Sequence, residues 1–98
     1  MDREQALSLV RKYKEEISPQ FKEAKVFLFG SYSKGNAREN SDIDVAVVVP
    51  RLDGDWLDAS SALWLATMKV DTIIEPVLIE ECHPSPLYED ILRTGITV

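Results

Sequence analysis

Apolar residues near the start of the chain recur with helical spacing. Ala6, Val10, Tyr13 and Ile17 fall at i, i+4, i+7 and i+11, with Lys and Glu on the opposite side. This predicts a helix over residues 2–17, opened by Asp2 and Gln5 at capping-box spacing and ended by Ser18-Pro19. The period then changes. Lys25–Phe29 reads as a strand, Ser31–Lys34 as one or two helical turns closed by Gly35-Asn36, and Ile43–Val49 as a second strand. That second strand is so uniformly aliphatic that burial on both faces is expected. Pro50 ends it and residues 51–55 form a turn. Trp56–Met68 has helical length with Asp55 as its N-cap, but its apolar residues do not keep to one face: Leu57, Trp64 and Met68 lie opposite Trp56, Ala59 and Leu63. Such a helix either has little exposed surface or offers apolar surface to another chain. Val70–Ile79 reads as a third strand, and Pro76 within it points to a sheet edge or a bulge. Ser85-Pro86 starts a helix over Pro86–Thr94 that Gly95 terminates, and Ile96-Thr97-Val98 adds a short terminal strand. The expected class is α/β (or α+β), a small mixed sheet flanked by helices.

The strongest chemistry lies where the second strand begins. Asp42 and Asp44 alternate with Ile43, so both side chains point to the same side, about 6–7 Å apart along the strand. Two carboxylates at the start of a buried strand repel each other unless a cation lies between them. Magnesium suits such oxygen donors, keeping several waters and completing its shell with substrate phosphates. Gly30-Ser31, at the end of the preceding strand, offers backbone N–H groups and a hydroxyl to the phosphate end of a nucleotide. Lys34 and Arg38 flank Gly35, placed either to meet triphosphate oxygens or to serve as solvated loop charges. A two-metal site generally wants a third carboxylate from a neighbouring strand. Asp71 and Glu75 are the candidates, and about 13 Å of extended strand between them is too wide for both to touch one metal. Asp71 is preferred because it opens its strand as Asp42 opens the second; pairing of either acid with Arg38 or Lys69 is the alternative. Cys82 and His83 read as surface loop residues, and Trp56 and Trp64 as core, with a base-stacking platform or a partner interface as the competing roles.

Composition narrows the partners. The 98 residues make one domain, with 45% hydrophobic and 29% charged residues. Seventeen acidic residues against eleven basic ones give a net charge of −6, and the basic residues are scattered. A nucleic-acid polymer is therefore not expected as a partner, whereas a nucleotide carrying its own magnesium is compatible. Cys82 is the sole cysteine, which excludes an intramolecular disulfide and a cysteine-based zinc site. No apolar run approaches the ~20 residues of a membrane span, and the polar first turn shows no signal peptide, so a cytoplasmic protein is expected.

These residues together resemble the DNA polymerase β-like nucleotidyltransferase superfamily, and within it the minimal nucleotidyltransferases of bacteria and archaea. The likeness rests on Phe29-Gly30-Ser31, Gly35, Ala37-Arg38 leading to Ser41-Asp42-Ile43-Asp44, and the strand Val45–Val49. It extends more loosely to Val70-Asp71 and to Ile91-Leu92-Arg93 with Gly95. The resemblance implies a nucleotidyltransferase fold, ATP or another nucleoside triphosphate as donor, and two Mg²⁺ ions. It implies that Gly30 and Ser31 hold the β- and γ-phosphates and that Asp42 and Asp44 ligate the metals. The third-strand acid, Asp71 or Glu75, would complete the site beside the acceptor hydroxyl. Larger relatives carry a further domain that binds the acceptor. Its lack here implies acceptor choice by a second subunit, in this family a helical HEPN protein, and a homo-oligomer is also compatible. The expected function is transfer of AMP from ATP to a tyrosine of that partner, as the antitoxin of a toxin–antitoxin pair. A small-molecule acceptor and a non-catalytic nucleotide-binding module are the alternatives. The lack of an acceptor domain argues against the first, and the intact carboxylates argue against the second.

Overall fold

The computed structural model describes residues 1–38 and 41–98. Asp2 caps α1 (Arg3–Ile17) through the expected capping box: its carboxylate accepts from the Gln5 N–H at 2.8 Å, and the Gln5 side chain accepts from the Asp2 N–H at 2.9 Å. The elements that follow are β1 (Lys25–Phe29), α2 (Ser31–Lys34), β2 (Ile43–Val49) and α3 (Trp56–Thr67), then β3 (Ile74–Glu80), α4 (Pro86–Thr94) and β4 (Ile96–Thr97). The strands form one mixed sheet in the order β3-β2-β1-β4. β1 runs antiparallel to β2 and β4, and β2 runs parallel to β3.

β2 explains the layering. Ile43, Val45, Val47 and Val49 join a core with Ala6, Val10, Tyr13 and Ile17 of α1 and Leu63 of α3. Ala46 and Val48 point the other way, to Tyr88 and Ile91 of α4. Helices therefore cover both faces, and the solid aliphatic run is buried on both, as its composition requires. The Tyr13 hydroxyl donates to the Leu63 carbonyl at 2.7 Å, tying α1 to α3, and burial pushes its pKa up.

One element starts later than its sequence suggests. Residues 70–73 are not strand; β3 begins at Ile74 and ends at Glu80. Asp71 makes the difference. Its carboxylate accepts from the Ile73 N–H at 3.0 Å and its carbonyl from the Ile74 N–H at 3.2 Å, a local turn that competes with sheet pairing. β3 is an edge strand, consistent with Pro76 inside it.

Candidate active site

Alternation along β2 sends Asp42 and Asp44 to the same side as Ala46 and Val48, the α4 face, at the strand's N-terminal end. Pairing places Phe29, the last residue of β1, opposite Asp44 on one side and Glu75 of β3 opposite it on the other. Glu75 shares parity with Val77 and Ile79, which pack on the α4 face, so its carboxylate lies on the side of the two aspartates. The structure thus brings together Asp42, Asp44 and Glu75. It keeps Asp71 in the turn ahead of β3, with its carboxylate bonded to the backbone.

The electrostatics match this grouping. Burial first, and then the charge of Asp42, raise the pKa of half-buried Asp44 above the ordinary aspartate value. Glu75 is also raised, by desolvation first, then by a hydrogen bond to Asp42 and by the charges of Asp42 and Asp44. Among the described residues, none of the three acids forms an ion pair with a Lys or Arg. Three convergent oxygen donors with no cationic side chain against them fit a hard divalent cation such as magnesium.

Gly30 closes the other wall. It leaves β1 with φ of 73°, and a Cβ there would run into the Asp44 carboxylate, so only glycine permits both the turn and the close approach. The first hydrogen bond of α2 runs from the Lys34 N–H to the Gly30 carbonyl, so the N–H groups from Ser31 onward lie ahead of it without helical partners. Gly35 closes the turn in the left-handed conformation.

The two basic candidates behave differently. Lys34 pairs with Asp90 of α4 at 3.4 Å, an exposed pair of small energetic worth. Arg38 clasps its loop by backbone: its N–H donates to the Ser41 hydroxyl at 2.8 Å and its carbonyl accepts from the Ser41 N–H at 3.0 Å. Arg3 is a residue that sequence reasoning missed. From the first turn of α1 its guanidinium donates to the carbonyls of Tyr32 and Ser33, at 3.0 and 3.1 Å, and so anchors α2. Nothing in the local sequence distinguishes it from the other surface charges of α1.

A second donor group lies at the far end of β3, where ligand atoms of Glu80, Cys82 and His83 fall within 4.8 Å of one another. The Glu80 carboxylate there already accepts from the Leu52 N–H at 3.0 Å. The three acids of the β2 end are not drawn together as tightly as this group. Among the described residues, no helix is long and apolar enough to cross a membrane.

The Gly30 turn thus presses against Asp44, with Asp42 on the same side of β2 and Glu75 a third acid on the adjacent parallel strand. Residues 10–95 match the family described as "Nucleotidyltransferase domain", and the chain belongs to that family, as a nucleotidyltransferase of the minimal type. It is 25% identical over 97 residues to "Putative protein adenylyltransferase MJ0141" of Methanocaldococcus jannaschii, an alignment covering 94% of this chain and 97% of that protein. Among solved structures it is similar to a "Structure of putative minimal nucleotidyltransferase", at 29% identity and a TM-score of 0.64, covering all of this chain and 97% of the other. A "Crystal structure of a putative nucleotidyltransferase from Sulfolobus solfataricus" shares the fold at 18% identity and a TM-score of 0.70, with 97% of this chain and 80% of that one covered.

Proposed function

We propose that the chain transfers AMP from ATP to a hydroxyl of a partner protein, with Asp42, Asp44 and Glu75 as the acids of the reaction. The observation that carries this reading is the convergence of the three carboxylates beside the Gly30 turn. Asp42 and Asp44 would hold two Mg²⁺ ions, which when bound neutralise charge on the phosphate oxygens and the leaving pyrophosphate. Gly30 and Ser31 would present backbone N–H groups to the β- and γ-phosphates, with Lys34, in its weak exposed pair with Asp90, and Arg38 as the basic side chains of that loop. The acceptor oxygen bonds to the α-phosphorus, the bond from that phosphorus to the α–β bridging oxygen breaks, and pyrophosphate departs. The acceptor's proton passes to Glu75, whose raised pKa suits a carboxylate that must take one. Glu75 replaces Asp71 as the third acid in this reading, because the Asp71 carboxylate is engaged in its own turn.

The acceptor we assign is a tyrosine on a helical HEPN-type partner, in a toxin–antitoxin pair within a reducing cytoplasm. The similarity to a relative named as a protein adenylyltransferase supports a protein acceptor. The test combines the purified chain, its co-purifying partner, ATP and Mg²⁺, read by intact mass. An AMP-sized increase on the partner is expected, disappearing in Asp42→Asn, Asp44→Asn and Glu75→Gln and persisting in Asp71→Asn. Inhibition of the partner that survives loss of Asp42 and Asp44 would instead mean neutralisation by contact alone. Activity lost in Asp71→Asn but kept in Glu75→Gln would return the third role to Asp71.

A further inference from the structure

The outer face of α3 is apolar. Helical spacing gathers Leu57, Ser61, Trp64, Leu65 and Met68 into a stripe about 100° wide, on the side away from buried Leu63 and Thr67. The four large members and Trp56 at the helix start are between 47% and 72% exposed. Their exposed area is on the order of 600 Å², the upper end for the largest patch on a monomer and close to the roughly 800 Å² per partner of a standard interface. We propose that this face is the interface of a homodimer, with α3 packed antiparallel against α3 of a second copy about a two-fold axis.

Two features select a second copy of this chain as the occupant. The first is shape. Positions 57, 61, 64 and 68 are separated by four, three and four residues, so the stripe reads the same in both directions. A two-fold axis at its midpoint sets Leu57 against the second copy's Met68. It also seats Trp64 over the second copy's Ser61, the largest side chain of the stripe on the smallest. The second is charge. Asp58 lies at the start of α3 and Lys69 just past its end, both on the flank of the stripe that carries Ala62. Antiparallel pairing brings Asp58 of each copy beside Lys69 of the other, and it also aligns opposite ends of the helix dipoles. Among the described residues of one copy Lys69 pairs with Glu16 at 3.4 Å in an exposed contact, which leaves it available to a neighbour.

The test is sedimentation equilibrium of the purified chain alone, without nucleotide, from about 1 to 100 μM, a range that resolves micromolar dimers. A dimer is expected, and Trp64→Glu should weaken it by roughly thirtyfold or more, the effect of a hot-spot tryptophan. The far-UV circular dichroism of that variant should be unchanged, because the side chain is exposed in a single copy. Lys69→Asp should also weaken the dimer, and the double exchange Asp58→Lys with Lys69→Asp should restore it. A chain that stays monomeric at 100 μM overturns the proposal and leaves the face to a different protein. So does a dimer indifferent to Trp64→Glu, or a charge exchange that fails to restore pairing.

Discussion

Asp44 is held between Phe29 of β1 and Glu75 of β3, with the Gly30 backbone pressed against its carboxylate. That setting, together with Asp42, raises its pKa from the ordinary 3.8, and Glu75 is raised from 4.5. The folded chain without metal therefore keeps these protons longer than the unfolded chain does. Their contribution to stability is present below the ordinary values and is lost as pH rises through the raised ones. As pH rises through those raised values the two groups ionise and repel each other. Asp44→Asn should accordingly raise the thermal midpoint of the metal-free protein at pH 7, by no more than a few °C given the partial exposure. The gain should fade below pH ~4, where the native acid is itself protonated. A thermal scan across pH checks this, and an unchanged or lowered midpoint at pH 7 would contradict the repulsion. That Asp42 and Asp44 share one side of β2 could be read from the chain because alternation in a strand is a local rule. That Glu75 lies beside Asp44 follows from the register of β2 against β3, which no local pattern encodes.

Among the elements, α1, β1, α2, β2 and α4 follow their sequence signals closely, since caps, glycines and periodicity act within a few residues of one another. β3 does not, because a single Asx-type turn at Asp71 outcompeted the β-branched residues around it for backbone N–H groups. α3 was ambiguous for a different reason. Its apolar residues surround the helix, so pattern alone assigns no inner face. The packing resolves it: Leu63 is buried against α1 and the sheet, and Leu65, two positions on, is 65% exposed. Truncation should report that asymmetry. Leu63→Ala is expected to destabilise the isolated chain by about 2–5 kcal/mol. Leu65→Ala should alter the stability of a single copy by less than about 0.5 kcal/mol. Urea unfolding at a concentration low enough to keep copies apart measures both, and comparable losses would mean that the inner face of α3 is misassigned.

At the scale of the molecule, the sheet gathers Gly30, Asp42, Asp44 and Glu75 from three separate stretches of sequence at one end of β1, β2 and β3. The acids there repel one another until a counter-charge arrives, so ligand and fold stability are linked. Addition of Mg²⁺ with a non-hydrolysable ATP analogue should raise the thermal midpoint, by a shift corresponding to about 2.7 kcal/mol at a hundredfold excess over Kd. Asp42→Asn should abolish most of that shift while leaving the secondary structure intact. A shift of full size in the variant would place the nucleotide elsewhere.

The central strand also sets a rule for how such a chain can change. β2 hands alternate residues to two different tasks, odd positions to the packing under α1 and α3, even ones to the α4 face that carries the acids. A change of length outside the strand leaves that division intact. One residue inserted within Asp42–Val49 does not, because everything beyond it changes sides, pushing valines toward the acids' face and misaligning Asp44 with Glu75. Within the strand, substitution keeps the division and insertion breaks it.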